Sequence, residues 1–156
     1  MAMTSNTDLK TIIDKARVAR LAIVDSECRP YLVPVVFAFD GKDYYIPIDK
    51  KAKHSKPEIL KRIKNIQANP NVALLIDEYD EDWTKLYFVM IQGRASLISN
   101  KKERQEQNEL PLLLLEKAHK LLYEKYPQYQ KISIGQYVIM IHPQKVITWK
   151  NELIND

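Results

Sequence analysis

This 156-residue sequence has few cysteines, few glycines and no long apolar run, and each of these scarcities excludes a class of protein. Cys28 is its only cysteine, so an internal disulfide framework cannot form, which fits a reducing cytosol. Its three glycines, Gly41, Gly93 and Gly135, are too few for a dinucleotide fingerprint or a phosphate loop. No stretch approaches the ~20 apolar residues of a membrane span, and residues 1–8 lack the apolar run of a signal peptide. We therefore expect a soluble, cytoplasmic protein.

Side chains that usually carry catalysis are also scarce. His54, His119 and His142 are scattered and form no zinc pattern with the single cysteine. Ser55 and Ser133 have no elbow motif around them, so a nucleophile with its base cannot be assembled. The sequence therefore predicts neither a metal site nor a self-contained catalytic centre. If the protein is an enzyme, we expect a bound cofactor to supply the chemistry.

The bulk composition is that of an ordinary globular domain. Apolar residues make up 46% and charged residues 28% of the chain, and the net charge is only +4. We expect one domain over residues 1–156. A basic loop and three tyrosines, Tyr31, Tyr44 and Tyr45, could together contact nucleic acid. Because these tyrosines alternate with strongly apolar residues, core positions are the better interpretation, and we expect no nucleic-acid partner.

Periodicity along the chain indicates short antiparallel strands with helices around them. The dipeptide Asp40-Gly41 is a hairpin signal, and Pro34 marks an edge or a bulge because proline donates no ladder hydrogen bond. Gly93 inside a long strand also indicates a bulge or a close backbone approach. We predict strands over residues 18–25, 31–39, 44–48, 72–76 and 86–98, and a final hairpin of 136–142 with 145–149, separated at Pro143. We predict helices over 7–17, from the basic loop to 68, and over 101–126, the last interrupted by Pro111.

Together these elements predict a mainly β fold with flanking helices. We count about six strands and expect a six-stranded antiparallel barrel, with the helices packed outside it. In the last helix, Leu113, Leu114, Ala118, Leu121 and Leu122 form the predicted buried side. The five acids within residues 77–82 are interpreted as a solvated turn, since neither ligand spacing nor a glycine turn supports a cation site.

The strongest local signal is a basic stretch at the start of the second helix. Between Lys50 and Lys64 the chain has seven Lys or Arg against one acid, Glu58. Pro57 suits a first helical turn, and a helix start offers free N–H groups and partial positive charge. The stretch therefore predicts an anion site. A solvated, lysine-rich loop is the alternative that the same residues allow.

Several segments together resemble a known family. The series Arg17 to Ala22, and then Arg29 to Gly41, is similar to the pyridoxamine-phosphate-oxidase-like split-barrel flavoproteins. Four further pieces agree in order and spacing, and they are residues 51–53, 66–70, 79–83 and 146–149. Within that family the sequence most resembles the branch thought to use coenzyme F-420, a deazaflavin relative of FMN with a phosphate and a polyglutamate tail.

This resemblance implies a homodimer with two cofactor sites at the subunit interface. It implies that Lys51 and Lys53 hold the cofactor phosphate and that Ser55, with the helix start, completes the anion site. Pro47 and Ile48 would flank the tail. Two lysines near one phosphate would supply charge-assisted hydrogen bonds of roughly 1.5–3 kcal/mol each.

The resemblance also assigns the ring side of the site. Pro34, Val35 and Val36 would run along the ring system and offer backbone groups to its polar edge, while Trp83 of the partner subunit would wall the ring. Flavin binders of this group often place an arginine or a polar side chain where this chain has Lys51, Pro34 and Val36. This departure, with the further lysines of the basic stretch, favours F-420 over FMN.

The function implied is an oxidoreductase that uses F-420 or FMN to move a hydride to or from a small organic substrate. Pyridoxamine phosphate oxidase activity itself is not expected, because the closing strand offers Trp149 without the arginine and histidine arrangement of that enzyme. A non-enzymatic flavin-binding or carrier module with the same cofactor cradle is the alternative. A third possibility is an interaction protein with an emptied site. No catalytic residue is predicted.

Overall fold

The computed structural model describes residues 6–49, 56–99 and 110–151. It confirms a mainly β fold with flanking helices. The three helices are α1 (Asn6–Lys15), α2 (Lys56–Ala68) and α3 (Leu110–Lys125), and short 3-10 helices occupy Trp83–Lys85 and Pro127–Gln130. The strands are β1 (Ala19–Val24), β2 (Pro30–Val35), β3 (Ala38–Phe39), β4 (Tyr44–Asp49), β5 (Asn71–Glu78), β6 (Tyr87–Ser99) and β7 (Ile134–Lys150).

All seven strands form one antiparallel sheet in the order β2-β1-β5-β6-β7-β4-β3. The two end strands are consecutive in the chain, and only Val36 and Phe37 separate them. Three backbone steps from Val35 to Ala38 span at most about 11 Å. The ends of the sheet therefore lie close together, and the sheet curls into a barrel, as the sequence predicted.

Two apolar clusters hold the structure together. The first fills the barrel with side chains such as Leu21, Leu74 and Ile91, and Ile13 of α1 and Ile66 of α2 join it. The second lies outside the barrel, where α3 packs on the outer side of β3, β4, β6 and β7. Burial of each such aliphatic side chain stabilises the fold by about 1.5–3 kcal/mol. Two adjacent residues of β4 belong to different clusters, since Tyr44 points into the barrel and Tyr45 points towards α3.

Two predicted strand boundaries are wrong. The apolar run 31–39 is not one strand, because the ladder stops at Val35 and resumes at Ala38. The predicted final hairpin is one continuous strand, β7, which passes through Pro143. Gly93 faces Pro143, and Gln92 faces Lys145, so Gln144 is an extra, bulged residue. The bulge lets the strand continue past Pro143. The predicted irregularity at Gly93 is confirmed. The sheet has seven strands where about six were expected.

The last helix also differs in detail from its prediction. Within the described residues α3 begins at Leu110, with Pro111 in its first turn, where a missing N–H costs nothing. Leu113, predicted to be buried, is 57% exposed, and Leu115 lies in the core instead. Residues 101–109 of the predicted helix lie outside the described residues. Among the helices that the structure describes, none is long and apolar enough to cross a membrane.

Candidate functional site

The strand predicted to run along a ring system, β2, is an end strand of the sheet. Pro34 is exposed and pairs with Arg20 of β1, which fits an edge position for a residue that cannot donate. Val35 is 8% exposed and belongs to the barrel core. Val36 is half-buried and packs on the cluster under α3. The Pro34 side chain therefore points out of the barrel, and the Val35 side chain points into it. Val36 lies on the segment that connects β2 to β3.

The outer side of the sheet next to Pro34 is largely apolar. Alternation along each strand puts these side chains on one face, and the register places Leu32 beside Ala22 and Leu75 beside Met90. Leu32 is 63% exposed. This outer face continues from β2 through β1, β5 and β6 to β7, and its apolar residues include Leu32, Pro34, Ala22, Leu75, Met90, Ile147, Phe88 and Trp149.

One ion pair interrupts the outer face beside Pro34. Arg20 Nη1 donates to Asp77 Oδ1 at 2.6 Å, and both side chains are 40% exposed. At this exposure the pair contributes at most about 1 kcal/mol. The pair places a charged group next to the exposed Pro34, which is the residue predicted to contact the ring.

Trp83 lies on the loop between β5 and β6, at the end of the outer face occupied by Phe88 and Trp149. Its side chain is 61% exposed. Hydrogen bonds hold the loop, since Asn151 Nδ2 donates to the Trp83 carbonyl at 2.8 Å and Asp82 accepts from the Thr84 N–H and hydroxyl. The bonds from Thr84 lower the pKa of Asp82. An indole held on a rigid loop and exposed to solvent is available to a second molecule.

Pro47 and Ile48 lie at the end of β4 and are both buried. They face Val138 and Tyr137 of β7, and the register shifts just after Ile48. One edge of β4 pairs with β7. On its other edge β3 pairs only with Tyr44 and Tyr45, so among the described residues that edge has no strand partner at Pro47. The prediction that both residues flank a bound tail stays a prediction, and the backbone of this segment is what could contact it.

Lys51, Lys53 and Ser55 lie outside the described residues, between the end of β4 and the start of α2. Their predicted role as an anion site therefore stays a prediction. The elements on both sides of these residues are described: β4 ends at Asp49, and α2 begins at Lys56.

Helix α2 carries two polar side chains that the sequence did not single out. The Nε of Arg62 is buried and has no hydrogen-bond partner in the described part of the chain. Asn65, one turn further along the helix, is 8% exposed, and its Nδ2 also has no hydrogen-bond partner among the described residues. A buried donor without an acceptor costs about 1–3 kcal/mol. Two such donors therefore lie on successive turns of α2.

Sequence periodicity could have found part of this pair. Arg62 and Asn65 are three residues apart, and Ile63 and Ile66 beside them bury in the barrel core. Periodicity predicts the apolar stripe, but it does not predict a buried flank, because lysine and arginine usually face solvent. An arginine stem packs well against apolar neighbours, so its charge alone does not fix its burial.

Other polar clusters lie away from the predicted residues. His142 Nδ1 and Asp43 Oδ1 are 2.7 Å apart, and Asp43 is buried. No group of three potential metal ligands occurs within residues 6–49, 56–99 and 110–151. A cavity of about 280 Å³ opens between α1 and the ends of β5 and β6. Its lining residues are Thr11, Ile12, Lys15, Ala16, Glu78 and Tyr87.

Comparison with known proteins identifies relatives at the level of family and fold. The family model for pyridoxamine 5'-phosphate oxidase matches residues 6–150. No curated protein matches the sequence.

Many solved structures share the fold. The conserved hypothetical protein Rv2991 from Mycobacterium tuberculosis superposes with a TM-score of 0.69 at 17% identity, covering 96% of this chain and 86% of that one. An FAD-binding protein from Mesorhizobium loti gives 0.65 at 19% identity, covering 96% of both chains. HutZ, the haem storage protein from Vibrio cholerae, gives 0.58 at 15% identity, covering 95% of both. At these identities the likeness concerns the fold alone.

Proposed function

The chain belongs to the pyridoxamine 5'-phosphate oxidase family, and from that premise we propose that it is a cytoplasmic flavin- or deazaflavin-dependent oxidoreductase. Its cofactor in this proposal is F-420 or FMN, and its substrate is a small organic molecule that gains or loses a hydride. The observation that carries the proposal is the pair of buried, unpartnered donors on α2, Arg62 and Asn65. These donors lie on the helix that the basic stretch leads into.

The residues around that helix fit the phosphate of either cofactor. A guanidinium and an amide are both donors, and a phosphate offers only acceptors, so each unpartnered N–H would gain a bond without competition. Lys51, Lys53 and Ser55 would complete this anion site from the segment before α2, while Arg62 and Asn65 contribute from the second and third turns of the helix. The excess of lysine in the stretch supports a ligand with several negative charges, which favours the polyglutamate tail of F-420.

The ring would lie against the β2 edge in this proposal. Pro34 exposes an apolar ring there, and Val35 and Val36 continue the segment, while Pro47 and Ile48 supply backbone on the tail side. When bound, the cofactor supplies the hydride chemistry. The apolar walls exclude water from it, and no proton-transferring side chain is assigned.

The outer face supports a homodimer. Leu32 and Trp83 are 63% and 61% exposed in the single chain, and they lie at two ends of an apolar surface that extends over five strands. Contiguous apolar surfaces of this kind are rarely left in water. We propose that a second copy covers the outer face, so that Trp83 of the partner subunit reaches the ring beside Pro34.

A titration of the purified chain with FMN, F-420 and haem, side by side, tests the proposal. We expect saturable binding of F-420 or FMN with one site per chain, and reoxidation of the reduced cofactor by a substrate over many turnovers. Binding without turnover would instead support the carrier module. Binding of haem alone, or of none of the three, would contradict a flavin or deazaflavin site.

The anion site has a test of its own. Replacing Lys51 and Lys53 together by alanine is expected to lower cofactor affinity at least tenfold for each lysine removed, from ~1.5 kcal/mol or more per charge-assisted bond. The melting temperature of the cofactor-free protein should stay nearly constant. Undiminished binding in isothermal titration would mean that the phosphate lies elsewhere.

A further inference from the structure

The break between β2 and β3 is held by a side chain that lies far away in the sequence. Phe37, the residue after Val36, belongs to neither strand, and its side chain is fully buried. Its N–H donates to the hydroxyl oxygen of Tyr126 at 3.3 Å, and its carbonyl lies 3.1 Å from the same hydroxyl. One phenol therefore lies within hydrogen-bond distance of both backbone groups of a residue that has lost its strand partner.

The same hydroxyl also binds the segment between α1 and β1. Its single hydrogen is shared between the Phe37 carbonyl and the Arg17 carbonyl, which is the nearer acceptor at 2.8 Å. Tyr126 is 5% exposed. Burial raises the pKa of its hydroxyl, against the opposing effect of the Phe37 N–H, so the proton that both carbonyls share is retained. Three separate segments consequently meet at one oxygen atom.

Two cations brace the arrangement. The Arg17 guanidinium lies 4.3 Å from the centre of the Tyr126 ring and donates to the Lys125 carbonyl at 2.6 Å. Lys125 Nζ lies 3.9 Å from the centre of the Phe37 ring and donates to the Ile13 carbonyl at 3.2 Å. Burial, helped by Arg17, lowers the pKa of Lys125 to about 8. These contacts limit the sideways movement of both rings.

We infer that Tyr126 is a positioning residue for the cofactor, acting through Phe37 on the Pro34–Val36 segment. The inference rests on the proposed function, in which that segment offers backbone groups to the ring. Val36 has no side-chain donor, so only the position of its peptide groups can align them with a ligand. Two bonds from one buried hydroxyl to the next residue fix that position, and loss of the hydroxyl would leave both Phe37 groups unpaired.

The test compares Tyr126→Phe with the full-length wild-type protein. Tyr123→Phe is the matched control, because Tyr123 is 38% exposed on α3 and the substitution removes the same hydroxyl from a ring that, like that of Tyr126, packs against Tyr129. Affinity for FMN and F-420 is measured at 10 °C, where circular dichroism establishes that every variant is folded. We expect Tyr126→Phe to bind at least fivefold more weakly and Tyr123→Phe to bind like the wild type.

A second readout separates positioning from general stability. In the cofactor-free proteins, amide hydrogen exchange should accelerate at residues 35–38 in Tyr126→Phe, while β5 and β6 keep their protection. The visible circular dichroism of the bound cofactor should also change, because the ring then lies in an altered backbone setting.

Wild-type affinity and an unchanged cofactor spectrum in folded Tyr126→Phe would overturn the inference and leave the proposed function intact. Loss of protection throughout the sheet, with affinity unchanged, would also overturn it, since the hydroxyl would then serve only stability. A wild-type protein that binds neither cofactor would overturn the proposed function, and the inference with it.

Discussion

Gly93 packs directly against the carbonyl group of His142, across the point where the β6–β7 register shifts. A Cβ atom at this position would overlap the carbonyl oxygen of His142 and would lie 3.1 Å from a methyl group of Ile141. Because the obstacle is backbone of a paired strand, it cannot rotate away as a side chain would. The absence of a side chain at residue 93 is therefore what allows β7 to run past the bulge at Gln144.

We predict that Gly93→Ala destabilises the protein. The overlap must be relieved by moving β6 and β7 apart, which costs about 1–3 kcal/mol. Urea unfolding followed by circular dichroism measures the loss. Ser96→Ala, on an exposed position of the same strand, should change the free energy of unfolding by no more than about 0.5 kcal/mol. Equal stability of Gly93→Ala and wild type would mean that the strands are not in close contact there.

Asp40 gives the stability a defined dependence on pH. Burial would raise its pKa, but an ion pair with Lys117, the N–H groups of Asp43 and Lys42 and the Tyr45 hydroxyl together lower it to about 2. A lowered carboxyl pKa adds stability that is present above the unfolded value of 3.8 and is lost as the pH falls through 2. From about 1.4 kcal/mol per pH unit, this amounts to ~2 kcal/mol at neutral pH.

The variant Asp40→Asn should therefore be less stable than wild type by about 2 kcal/mol at pH 7, and the difference should shrink towards pH 2. Thermal unfolding at a series of pH values measures it. Glu116→Gln, exposed on α3, is the control and should follow the wild-type curve. A constant difference between Asp40→Asn and wild type at every pH would contradict the assignment.

Leu32 tests whether the outer face is covered by a second copy. Leu32→Glu places a carboxylate on an apolar surface, and covering that charge costs several kcal/mol. We expect the dimer dissociation constant from sedimentation equilibrium to rise at least tenfold. Leu113→Glu is the matched control, since Leu113 is 57% exposed, lies on α3, and should leave association unchanged. An unaffected dimer in Leu32→Glu would place the subunit interface on another surface.

Arg62 tests the donors of α2. Arg62→Met keeps the length of the side chain but removes the guanidinium, and we expect cofactor affinity to fall about tenfold or more, from one lost charge-assisted bond. Lys61→Met and Lys64→Met remove the same charge from exposed neighbours and should weaken binding much less. The melting temperature of cofactor-free Arg62→Met should not fall, because Arg62 Nε has no partner among the described residues. Equal losses in all three variants would indicate a diffuse electrostatic effect.

Much of the architecture was readable from local patterns. The Asp40-Gly41 hairpin is confirmed, with Gly41 at a φ of +96° that other residues rarely adopt, and the placement of Tyr44 and Tyr45 in the core is confirmed as well. The strand over 86–98 and the ending of α2 before Pro70 follow from alternation and from proline chemistry, which act over a few residues. The single domain over residues 1–156 and the roles of Lys51, Lys53 and Ser55 stay predictions.

The two errors in the strands share one cause. Apolar residues 31–39 read as one strand because most of them favour β structure, yet Phe37 leaves the ladder and bonds with Tyr126, 89 residues away. Pro143 read as a strand break, yet a bulge opposite Gly93 accommodates it. In each case a partner on another element satisfied backbone groups that local chemistry alone would have paired differently.

The sequence by itself determined the family, the barrel class and the basic character of the segment before α2, because hydrophobic alternation, turn residues and charge are local properties. Only the tertiary structure decided which donors are left without an acceptor, which apolar side chains stay exposed, and which distant hydroxyl fixes the β2–β3 break. Those features depend on distances between segments far apart in the chain, and such distances exist only once the sheet has closed on itself.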